Sequence, residues 1–131
     1  MAGTQHKRIV ADIIDRMEET CKLLGLLRIK VIEFKDFGFC TEPIVVHDFI
    51  EIGNKDNTGT NAFLEQVDGI SCRGGYGYCN ALEAIALALK SDWTTGETWR
   101  KRHCVVVFSN GKVHPIQLKK NVSNYPEEIP N

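Results

Sequence analysis

The sequence predicts an α/β domain: a small, mainly parallel sheet flanked by helices. Three observations predict it. Apolar periodicity orders the 131 residues as helix, strand, strand, helix, helix, strand, enough chain for one domain with a real core. Cys104-Val105-Val106-Val107-Phe108 is an unbroken apolar run, the pattern of a central parallel strand covered on both faces. A glycine turn, Arg73-Gly74-Gly75-Tyr76-Gly77-Tyr78, runs through Cys79 into an apolar helix. A helix start presents free N–H groups, and in open α/β sheets ligands bind along the carboxyl edge.

Residues 7–24 carry Ile9, Ile13, Met17, Cys21 and Leu24 at helical spacing, with acidic and basic residues opposite and Gly25 as the stop. Residues 27–35 are rich in β-branched side chains and end at Asp36-Phe37-Gly38. A second, short or bent strand follows over 43–52, its leading Pro43 suited to an edge. The composition of Gly53–Gly59 marks a loop. Thr60 is placed to cap a helix over 60–69 that turns Phe63, Leu64 and Val67 inward. The helix over 80–91 is apolar on nearly every face, which predicts neighbours on more than one side. The last strand spans 103–109 and ends in Ser109-Asn110-Gly111, so polar side chains crown its carboxyl end. Residues 117–131 hold two prolines and few apolar residues, and predict an irregular tail packed through Ile116, Leu118, Tyr125 and Ile129.

A formal net charge of −1 argues against a nucleic-acid binder held by phosphate contacts, and Arg100-Lys101-Arg102-His103 reads as a solvated approach to a strand. No apolar run has the length of a membrane span, and Met1–Arg8 lacks the apolar stretch of a signal peptide. Five cysteines without such a signal predict reduced thiols in a cytoplasmic protein.

Other chemistry is weakly encoded. Cys72, Cys79, His103, Cys104 and His114 include metal-ligating types, but no close Cys pair of the kind zinc favours, so core or loop thiols are expected and no metal or other cofactor. Cys79 near a helix start would have a lowered pKa, which keeps a small thiol-dependent enzyme as an alternative, though no local signature accompanies it. The glycine turn lacks the Gly-Lys-Ser/Thr of a phosphate loop and reads as a tight turn for close packing. Tyr76 and Tyr78 fit either an exposed contact surface or packing over that turn.

Taken in order, Leu27–Phe37, the Gly74-Gly75 turn before Asn80-Ala81-Leu82-Glu83-Ala84, Lys90-Ser91-Asp92-Trp93, Arg102–Phe108 and His114-Pro115 resemble a bacterial von Willebrand factor type A domain. The resemblance runs from about Lys7 to Pro130. It implies a doubly wound, Rossmann-like sheet with a metal-ion-dependent adhesion site on its carboxyl edge, built from hard oxygen ligands. It also implies that the site is degenerate. The family's first central strand and its Asp-x-Ser-x-Ser motif have no counterpart, nor do the C-terminal strands; Gly77 stands at the Thr position and Asn110 at the Asp position.

The function so implied is a non-catalytic protein-interaction module with no metal. Its contact edge would be Arg73, Gly74, Gly75, Tyr76, Gly77 and Tyr78 together with Ser109, Asn110 and His114. The missing strand would lie beside Cys104–Phe108, so another chain, in a homodimer or by strand addition from an unknown protein partner, would fill the gap. The alternative is a metal-dependent adhesion domain completed by ligands from that partner chain.

Overall fold

The computed structural model describes residues 8–9, 12, 14–16, 19, 26–38, 40–53, 57–70, 77–95, 101–109, 111–115 and 124–129. The chain divides into two compact units, one from residues 1–31 and 46–73, the other from 32–45 and 74–131.

In the first unit every described residue between positions 8 and 19 is helical (α1). Strand β1 (Leu26–Ile29) pairs antiparallel with β4 (Ile50–Gly53), with Leu27 opposite Ile52 and Arg28 opposite Glu51. Arg28 Nε lies 3.6 Å from Glu51 Oε1, and the Arg28 guanidinium sits 4.4 Å over the Phe49 ring, so one long side chain covers an edge by charge and by its flat face. Helix α2 (Thr58–Gly69) packs on β4 and turns Phe63 and Val67 inward. They close a core with Ile14 and Ile52, bordered by Leu27, Ile29, Val31, Ile50 and Leu64. The helix begins at Thr58, two residues before Thr60, with Asn57 as its N-cap, and the Asn57 side chain makes no cap hydrogen bond. Asn57 instead supplies its carbonyl, which accepts from Asn61 N at 2.9 Å.

In the second unit β2 (Ile32–Phe34) pairs with β3 (Ile44–Val46), of which Ile44 and Val45 belong to this unit, and Lys35 N donates to Pro43 O at 2.7 Å where the hairpin opens into its loop. Strand β5 (Tyr78–Cys79) pairs in parallel with β6 (Lys112–Val113). Helix α3 (Ala81–Leu89) packs on β2. Phe37, Leu87, Tyr125 and Ile129 form the core, against Ile32 and Ile44. Asn124 Nδ2 donates to Phe37 O at 3.2 Å and Cys40 O at 2.8 Å, and Lys90 Nζ donates to Glu128 O at 3.1 Å, so residues 124–129 are tied down although they form no helix or strand. The rest of the expected tail lies outside the described residues.

The expected mainly parallel, Rossmann-like sheet is not what forms. Among the described residues the strands make two antiparallel pairs, β1–β4 and β2–β3, and one short parallel pair, β5–β6. Apolar patterning marks strand content but not partners. The two expected strands, 27–35 and 43–52, follow one another closely and fold back as antiparallel pairs, which need only a short connection, whereas parallel neighbours need a long crossover. Each also breaks in two, at Lys30-Val31 and at His47-Asp48-Phe49, so the halves enter separate pairs. The expected central strand over 103–109 joins no pair, and every residue from 101 to 109 is exposed. With no strand beside it among the described residues, its apolar side chains find nothing to cover them.

Helix α3 is likewise buried on a single face: Ala81, Glu83, Ala84 and Leu87 point inward, while Leu82 and Leu89 are exposed. No described helix is long and apolar enough to cross a membrane.

Candidate functional site

Parallel pairing of β5 with β6 brings the two expected loops together. Lys112 N donates to Gly77 O at 2.6 Å and His114 N to Cys79 O at 3.0 Å. The approach depends on glycine twice. Gly77 has φ +88°, a region that L side chains rarely adopt. A Cβ on Gly111 would stand 3.1 Å from Gly77 O. Of the expected contact residues, Gly77, Tyr78, Ser109 and His114 are thereby gathered at one edge of the second unit. Arg73, Gly74, Gly75, Tyr76 and Asn110 lie outside the described residues, as does Cys72.

Below this edge is a polar lock that patterning does not reveal. The His114 ring stacks on Tyr78, with centroids 4.7 Å apart, and its Nε2 lies 3.5 Å from Asp36 Oδ2. Asp36 Oδ1 accepts from Gly38 N at 2.9 Å, the Asx turn that Asp36-Phe37-Gly38 encodes. Asn80, at the N-cap of α3, is fully buried, and its Oδ1 accepts from Phe37 N at 3.0 Å instead of capping the helix. Its Nδ2 is buried without a hydrogen-bond partner. Glu83 follows three residues later, in the spacing of a capping box, and is 1% exposed at the positive end of the helix. Burial, and then repulsion by the Glu83 carboxylate, raise the Tyr125 phenol above its ordinary value. The only sequence hint of this lock is the pair of turn formers, Asp36 and Asn80, bracketing apolar runs.

Cys79 is buried, and its thiol faces the Ser109 hydroxyl at 3.3 Å. The described histidines nearby are otherwise engaged: His114 with Asp36 and Tyr78, His103 with Thr94 O and Trp93. A thiol nucleophile needs a base within hydrogen-bond reach, and the recorded contacts give Cys79 a hydroxyl. Among the described residues no three His, Cys, Asp or Glu side chains converge as a metal site would require.

Among the described residues an exposed apolar run lies in the segment 101–109. It is pinned at both ends. Lys101 Nζ donates to Thr95 O at 2.6 Å and the His103 ring contacts Trp93 at one end; the Ser109 hydroxyl bridges Cys79 and Gly111 at the other. Between the pins, Val105, Val106, Val107 and Phe108 are 41%, 65%, 44% and 40% exposed. Among the described residues, no backbone–backbone hydrogen bond involves residues 101–109. Tyr78 and Val113 are further exposed apolar side chains of the same unit. Patterning identified the run as apolar but not its exposure, because burial belongs to the partner strand and not to the run itself.

Comparison of the chain with protein-family models, with curated proteins and with solved structures finds no match.

Proposed function

We propose that the chain is a non-catalytic protein-interaction module, and that Cys104–Phe108 is its contact element, receiving an extended segment of another protein. One observation carries this reading. Five consecutive apolar residues are held at both ends, exposed between them, and carry backbone groups with no backbone partner among the described residues. Four such side chains leave on the order of 300 Å² of apolar surface in water, within the range of the largest patch a monomer ordinarily tolerates and commonly functional. N–H and C=O groups without a backbone partner among the described residues, along a β-branched run, invite strand addition, in which the main chain supplies affinity and alternate side chains supply selectivity. The Tyr78–His114 edge, shaped by Gly77 and Gly111, would border the contact.

Selection from a random peptide display library tests the proposal. Retained peptides should share a central run of β-branched residues, and the Val106→Asp chain should not retain them. A library that yields no such run, or one retained equally by Val106→Asp, contradicts the reading. Titration with Mg²⁺ separates it from the metal-dependent alternative: clear binding at millimolar concentration would favour the latter.

A further inference from the structure

Resting on that interaction reading, the geometry points to the chemistry of the partner: an extended apolar segment that carries carboxylates at the end meeting Lys101, Arg102 and His103. Those three residues are exposed and lead directly into Cys104–Phe108. Among the described residues neither Lys101 nor Arg102 has an acidic partner; Lys101 holds only the Thr95 carbonyl. The nearest carboxylates before them in the sequence are Glu97, four residues ahead of Lys101, and Asp92. From residue 98 to residue 126 there are six basic residues (Arg100, Lys101, Arg102, Lys112, Lys119 and Lys120) and no Asp or Glu, although the whole chain has a net charge of −1. In the sequence, basic residues thus predominate on both sides of Cys104–Phe108, while the rest of the chain is net acidic. Lys112, exposed on β6, adds a cation beyond the other pin.

A second copy of the chain fits this arrangement less well. Antiparallel self-pairing centred on Val106 would set Lys101–His103 against Ser109–Gly111, forming no ion pair, and parallel self-pairing would set like charges opposite one another. A nucleic-acid strand would find cations but no row of aromatic platforms between them, since the centre of the segment is valine. An apolar strand with an acidic end satisfies the backbone, the valines and the cations together.

Fluorescence anisotropy with the full chain and three labelled peptides tests this. Each peptide has the core Val-Val-Ile-Val, flanked by Asp-Glu, by Ser-Ser or by Lys-Lys. The acidic peptide should bind about tenfold more tightly than the serine peptide, the effect of two or three exposed ion pairs. That advantage should vanish near 1 M salt, where charges are screened within about 3 Å. In Arg102→Glu the acidic and lysine peptides should exchange ranks, while Val106→Asp should weaken all three. Equal affinity for the three peptides overturns the acidic partner and leaves the interaction reading standing. No binding of any peptide removes both. Self-association of the chain by light scattering at the same concentration, or tighter binding of a thymidine oligonucleotide that survives Val106→Asp, overturns the proposal in favour of a second copy or of nucleic acid.

Discussion

Gly59→Ala tests the packing of the first unit where its outcome opposes helix propensity. Gly59 is the second residue of α2. A Cβ there would run into the carbonyl oxygen of Glu51, with Glu51 C at 3.0 Å and Ile52 Cα at 3.3 Å. All three are backbone atoms of β4, so no side-chain rotation relieves the contact. The helix start must retreat by more than about 1 Å to restore ordinary contact distances, and a gap of that size forfeits about half or more of the dispersion energy across it. Phe63 and Val67 against Ile52 bear that loss. Overpacking of this kind costs about 1–3 kcal/mol, and a rigid backbone neighbour places Gly59 toward the upper end. Alanine returns about 1 kcal/mol as the better helix former, leaving a net destabilisation of about 2 kcal/mol. Gly69→Ala, at the other end of the same helix, meets nothing within 4 Å and should be neutral or stabilising by up to about 1 kcal/mol. Urea unfolding followed by far-UV circular dichroism reads both variants. A Gly59→Ala chain as stable as the unsubstituted protein would refute the close approach of α2 to β4.

Three further outcomes follow from the second unit. Tyr125 should ionise above the ordinary phenol value; burial is the larger cause and Glu83 the lesser, so Glu83→Gln should advance its phenolate absorbance to lower pH without normalising it. Because the unfolded chain loses this proton first, the contribution of Tyr125 to stability is complete below pH 10.0 and declines as pH rises through its folded value, which alkaline urea titrations would show as a falling midpoint. Asn80→Ala leaves Phe37 N buried without its acceptor and should cost about 1–3 kcal/mol, measured by the unfolding midpoint of tryptophan fluorescence. Iodoacetamide should label Cys104 rapidly and Cys79 slowly, and fast selective alkylation of Cys79 would revive the thiol-enzyme reading.

Sequence and structure part company where pairing begins. Helical spacing is a local property, and Phe63 and Val67 in α2, or Ala84 and Leu87 in α3, show their inward faces in the sequence itself. Strand pairing is not local. Val31 and Ile32 look continuous, yet Val31 lies in the break between β1 and β2 while Ile32 begins β2, and nothing in their side chains announces it. The run Cys104–Phe108 carries the composition of a buried strand, but composition states what a segment prefers and not what lies beside it. The glycine-rich turn at Gly77 was legible in the sequence but its approach to Gly111 was not, and the bond from Phe37 N to Asn80 Oδ1 spans 43 residues and had no local signature. Asp36 was legible only as a turn residue, and its pairing with His114, 78 positions away, depends on the parallel β5–β6 contact.

The account depends most on the amides of Cys104–Phe108 being open in the free chain. Hydrogen–deuterium exchange on the dilute full-length chain measures this directly. We predict exchange near the unprotected rate across 104–108, much faster than at Ile50–Gly53, and strong protection of the same amides when the acidic strand peptide is added. Slow exchange at 104–108 in the dilute chain before any peptide is present would mean that the segment is already paired and covered, which contradicts the proposed contact element.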